Sequence, residues 1–166
     1  TVVYVNTGQT PELIRAMGDD ILVLPQEAYM LFQAICGDVE YNNKATDIAV
    51  AYGLPTDVCA TDKTAVGYML QNLMPPPTCS VYHSSPCENQ LLGAQIVKEV
   101  YGRPVFPVDI PHLNGAREIE YVVAQLKEEI KFLEEHTGKK FSWERFKTIC
   151  EESNNMTDKI LEWNQV

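Results

Sequence analysis

The sequence predicts an α/β fold: a doubly wound, mostly parallel sheet followed by a long helical hairpin. Up to Leu113, short apolar, β-branched runs alternate with helical segments of roughly 10 to 15 residues, the pattern that builds parallel sheets with helices on both faces. From Asn114 the alternation gives way to two long amphipathic patterns. Residues 1–113 are therefore expected to form an α/β domain, and residues 114–166 two long helices leading toward a C-terminal lobe outside this chain.

"TVVYVN" at residues 1–6 is β-branched and aromatic, the composition of a strand. "TGQTPELIRAMG" then supplies a turn, Thr10 as a helix cap, Pro11 at the first helical position and Gly18 as a stop. "DILVLP" at 20–25 is a continuous apolar run, expected to be a strand covered on both faces. "QEAYMLFQAIC" and "KATDIAVAYG" read as helices, the second ending at Gly53.

A loop carrying Cys59 precedes a helical run through Ala65, Tyr68, Met69 and Asn72, which three prolines are expected to stop. "TCSVYHSS" is the next strand, "CENQLLGAQIVKEVYG" a helix closed by Gly102, and "PVFPVDI" a further strand. Ile119, Val122, Val123, Leu126, Ile130 and Leu133 mark one face of the first long helix. "HTGKK" breaks it, and Ser142 caps a second helix carrying Phe146, Ile149, Cys150, Met156, Ile160 and Leu161 at helical spacing.

The net charge of -10, with no clustered basic face, argues against an electrostatic grip on nucleic acid or anionic lipid. No stretch approaches the roughly 20 apolar residues of a membrane-spanning helix, and no basic leader opens the chain. Five scattered cysteines lack the dense pairing of small secreted scaffolds, so a reduced, cytoplasmic setting is expected. The chain starts without Met and stops inside a helical pattern, which suggests a piece of a longer subunit.

In an open parallel sheet, ligands sit beyond the carboxyl ends of the strands. That singles out the loops "NTGQTP", "DVCATD", "HSSPCENQ" and "DIPHLNG". Cys87 follows Pro86 where a helix begins, and Cys59 holds a similar place in its own loop, ahead of a helix that Thr61 or Asp62 would cap. Free backbone N–H groups at such positions favour a thiolate, able to ligate a soft metal or attack an electrophile. The two are 28 positions apart, unlike a compact C-x-x-C motif. Cys36, Cys79 and Cys150 fit the alternative, small core residues. A nucleophilic Cys87 assisted by His83 or His112, in a hydrolase or transferase, is one competing reading. A non-catalytic α/β assembly subunit with structural cysteines is another. Asp109, at a strand end, is either an acid–base group or a loop organiser.

Taken in order, "TPELIRAMG", "LPTDVCATDKTAVG", "SSPCENQ", "GRPVFPVDIPH" and "LEEHTGKKFSWERFKTICEESN" resemble the N-terminal half of a subunit of the 2-hydroxyacyl-CoA dehydratase and benzoyl-CoA reductase family, of the 2-hydroxyglutaryl-CoA dehydratase D-component type. The resemblance implies Rossmann-like lobes, a related second subunit in a heterodimer, and a [4Fe-4S] cluster held by loop cysteines. It further implies an oxygen-sensitive enzyme served by a separate ATP-hydrolysing iron–sulfur activator, which is where ATP enters. The implied chemistry is single-electron: an acyl-CoA thioester receives a low-potential electron, giving a ketyl-type radical in dehydration or driving ring reduction. By position, Cys59 and Cys87 match two of the family's cluster ligands, with the third in the half beyond Val166. Thr7, Gly8, Gln9 and Thr10, and in the later loop His112 and Asn114, are the residues placed to contact substrate.

Overall fold

A computed structural model describes residues 1–6, 9, 11–36 and 39–164. In chain order the elements are β1 (Val2–Val5), α1 (Glu12–Arg15), β2 (Leu22–Pro25), α2 (Ala28–Ile35), α3 (Val39–Tyr52), α4 (Ala60–Leu70), β3 (Cys79–His83), α5 (Asn89–Tyr101), β4 (Val105–Val108), α6 (Ala116–Thr137) and α7 (Trp143–Trp163). The strands form one parallel sheet in the order β2-β1-β3-β4, with Val3 beside Val23 and Cys79, and Val81 beside Phe106.

Strand side chains alternate between two cores, as a period of two requires. Val3, Val5, Cys79, Val81 and Val108 face a layer completed by Ile14 of α1 and Leu133 of α6. Tyr4 and Tyr82 face the opposite layer, with Ala45 of α3, Tyr68 of α4 and Val97 of α5. Helices thus cover both faces, as a doubly wound sheet demands. α6 lies against β3 and β4, while α7 crosses to α1, where Ser153 donates to Glu12 Oε1 at 2.6 Å.

Several elements differ from expectation for reasons outside their own sequence. β2 is an edge strand and only partly covered: Val23 and Leu24 pack against the opposite layers, while Leu22 is 52% exposed; β3 is the fully buried strand. α4 ends before the prolines: Asn72 turns into the left-handed region at φ 57°, and Leu73 N–H donates back to Tyr68 C=O at 3.0 Å, a backbone closure of the Schellman kind. Cys59, not Thr61 or Asp62, occupies the N-cap of α4. Of the apolar face expected on α6, Leu133 is buried but Ile119 and Val123 are exposed; on α7, Met156, Ile160 and Leu161 are exposed. Gly102, Gly138 and Ser142 punctuate the helices as expected, Ser142 accepting from Arg145 N–H at 3.2 Å. No helix among the described residues is long and apolar enough to cross a membrane.

Candidate functional site

The strand order reverses between β1 and β3, because β1 leads outward to β2 and β3 outward to β4. At such a switch point the following loops diverge to opposite faces and leave a crevice beyond the carboxyl ends. Here the diverging loops are those that start at Asn6 and at Ser84. Asn6 is buried and clamps them together: its Oδ1 accepts from His83 N–H at 3.1 Å, and its Nδ2 donates to His83 C=O at 3.3 Å and Ser85 C=O at 3.4 Å. His83 is buried in the same clamp, with its Nδ1 3.4 Å from Asn6 Nδ2.

Asn6→Ala strands a buried backbone N–H and is expected to lower stability by about 2 kcal/mol, read as the shift of the urea midpoint at unchanged m. An unshifted midpoint would mean the clamp contributes nothing.

The next loop is tied in the same manner. Ser84 Oγ accepts from Ile110 N–H at 2.8 Å, linking the ends of β3 and β4. Asp109 organises its loop: its N–H donates to Gln125 Oε1 and its C=O accepts from Gln125 Nε2, both at 2.8 Å, while its carboxylate accepts from Tyr121 OH at 3.0 Å.

The cysteines divide by position. Cys79 lies in β3, fully buried, and burial pushes its thiol up to about 12, which leaves it inert. Cys150 is half-buried on α7, where burial and then the nearby Glu12 raise its thiol. Cys36 is exposed rather than a core residue, because it closes α2 on the outer surface. Cys59 and Cys87 are both exposed, the first at the N-cap of α4 and the second two residues before α5. α5 starts where β3 ends, and α4 starts within electrostatic reach of Glu27, just past the end of β2. The starts of α5 and α4 thus lie toward the carboxyl edge, with Cys87 and Cys59 beside them in sequence.

Near these helix starts lies a set of buried polar groups. Gln26, Glu27, Asp62, Tyr82 and Gln90 are each nearly inaccessible. Asp62 is 4% exposed, its Oδ1 has no partner among the described residues, and burial, followed by the charge of Glu27, pushes its carboxyl up to about 6. Of these residues only Asp62 stood out in the sequence. The available signal was the polar pair Gln26-Glu27 directly after the apolar run that forms β2.

Two grooves open along the same edge. One of about 400 Å³, between the ends of β1 and β2, is lined by Asn6, Gln9, Arg15, Pro25, Ala28 and Leu31 among others. The other, about 270 Å³ and largely apolar, lies beyond β4 and includes Asn114, Ile110, Leu113 and Ile119. Gln9 and Asn114 thus each line a groove, and His112 is exposed in the loop beside the second. Thr7, Gly8 and Thr10 lie outside the described residues.

This topology and edge define an open α/β protein of the kind that takes its ligand beyond the carboxyl ends of its strands. The family model for 2-hydroxyglutaryl-CoA dehydratase, D-component, matches residues 7–166, and the chain belongs to that family. It is accordingly a subunit of a dehydratase-type enzyme. No curated protein gives a significant match. An iron–sulfur cluster, which the family implies, takes thiolate ligands. Cys59 and Cys87, exposed at helix starts, fit part of such a donor set. Among the described residues no group of three or more His, Cys, Asp or Glu is arranged to hold a metal ion.

Proposed function

We propose that the chain is the N-terminal part of a [4Fe-4S]-dependent acyl-CoA dehydratase or reductase subunit, with Cys59 and Cys87 supplying two of the cluster's thiolates and a ligand beyond this chain completing the set. The supporting observation is that these are the exposed thiols at helix starts, whereas Cys79 is buried and Cys36 closes the far end of a helix. When bound, the cluster would supply a low-potential electron to the thioester.

The chain's own residues prepare the site. Cys59 stands at the N-cap of α4 and Cys87 just ahead of α5, so a cluster bound there would sit at the positive ends of two helix dipoles. Asn6 and Ser84 hold the loops that bound the crevice. Gln9, in the groove between β1 and β2, and Asn114, in the groove beyond β4, with His112 in the loop beside it, would contact the acyl-CoA; Thr7, Gly8 and Thr10 belong to the same first loop by sequence. A related second subunit and a separate ATP-hydrolysing activator complete the system in a cytoplasmic, anaerobic setting.

The test is iron and sulfide analysis of the full-length subunit with its partner, purified without oxygen. About four irons per cluster are expected, with Cys59→Ala and Cys87→Ala each reducing iron to near background. Iron-free wild type, or full iron retention in both variants, would sink the assignment. Turnover abolished by alkylation of Cys87 in an iron-free enzyme would point to thiol catalysis instead.

A further inference from the structure

The buried polar cluster at the starts of α2, α4 and α5 is built around one side chain. Gln26 is 1% exposed and joins three elements. Its Oε1 accepts from Tyr82 OH of β3 at 3.0 Å. Its Nε2 donates to Gln90 Oε1 in the first turn of α5 at 3.5 Å and to Glu27 Oε1 at the N-cap of α2 at 3.4 Å. The backbone makes room for it: a Cβ on Gly93 of α5 would lie 2.9 Å from Gln26 Nε2. Such a close approach between a helix and a buried amide is a requirement of that amide's shape, not of the apolar core.

We infer that Gln26 is a positioning residue for the site, setting the start of the Cys87 helix against the start of the Cys59 helix; this rests on the proposed cluster reading. Toward Cys87 the link is direct, since Gln90 lies one turn beyond it and Gln90 N–H donates to Cys87 C=O at 3.3 Å. Toward Cys59 it runs through the start of α2. Glu27 acts electrostatically on Asp62 in the first turn of α4, and Tyr29 packs edge-on against Tyr68 of α4 with ring centroids 4.8 Å apart. An amide suits the junction because it presents an acceptor to a phenol and two donors to carbonyl and carboxylate oxygens. Leucine supplies neither, and glutamate would set a second carboxylate against Glu27.

The test uses the full-length subunit with its partner, as wild type and as Gln26→Leu, with Tyr82→Phe as a milder variant that removes one arm and keeps the ring. Hydrogen exchange of residues 59–63 and 87–92 is measured on iron-free protein, and the electron paramagnetic resonance spectrum on reduced, iron-loaded protein. Gln26→Leu is expected to speed exchange in both segments by about tenfold and to shift the g-values. Tyr82→Phe should do the same to a smaller degree. Exchange and spectra identical to wild type in both variants would overturn the inference, as would acceleration spread evenly over the fold, the mark of a merely structural role. Iron-free wild type would instead overturn the cluster reading, and the exchange measurement would then still decide whether Gln26 sets the two loops.

Discussion

Gly67→Ala is expected to destabilise the protein by about 3 kcal/mol, at the upper end of overpacking costs, because the added methyl meets backbone rather than a yielding side chain. A Cβ at Gly67 would lie 1.9 Å from Ala45 O and 2.4 Å from its carbonyl carbon. Ala45 and Ala49, one turn apart on α3, are both fully buried and let α4 approach this closely. Around the contact Thr46 and Thr64 hydroxyls meet at 2.8 Å, and Tyr68 OH donates to Asn42 Oδ1 at 2.6 Å. Any retreat of α4 would break these bonds. Urea unfolding at constant m measures the loss, and Gly102→Ala is the control. Gly102 has φ 61° with open space around its Cβ position, so it should cost only the left-handed strain of ~1 kcal/mol. Equal losses at the two positions would show that α3 and α4 can separate freely. Since α4 begins at Cys59, Gly67→Ala should also loosen the candidate site.

What the sequence disclosed follows from how local each cause is. A left-handed glycine after a helix is a local event, so Gly102 and Gly138 were legible, as was the hydroxyl cap of Ser142. The β-branched runs marked all four strands, but not which would be central: β2 and β3 are similarly apolar, and only pairing in space leaves β2 at the edge. Proline was an obvious stop for α4, yet Asn72 ends it earlier through backbone bonds that no composition encodes. The two edge thiols stood out because strand-to-helix and loop-to-helix junctions can be read from spacing. Asn6 and Gln26 did not, since their partners are 77 and 56 positions away for the shortest bonds they make to β3. Polar residues that close a strand run look like loop until the partner strand is in place.

Glu129 presents the opposite case, a charge placed where the chain's own folding opposes it, and Glu129→Met is expected to stabilise the protein by about 3 kcal/mol at pH 8. The residue is 0% exposed on α6, one turn before the core residue Leu133, and neither carboxylate oxygen has a hydrogen-bond partner among the described residues. Burial pushes its carboxyl from an ordinary 4.5 up to about 7. The folded state therefore binds this proton more tightly than the unfolded chain. The proton's contribution is fully present below pH 4.5 and lost as pH rises through 7, above which the native state must hold an unpaired buried charge. Methionine has nearly the same length and no charge to desolvate, so its advantage should be large at pH 8 and shrink to ~1 kcal/mol or less at pH 5. Urea midpoints of wild type and variant at the two pH values measure the difference. A gain independent of pH would trace to packing alone, and a loss at pH 8 would show that the carboxylate finds a partner in the assembled enzyme.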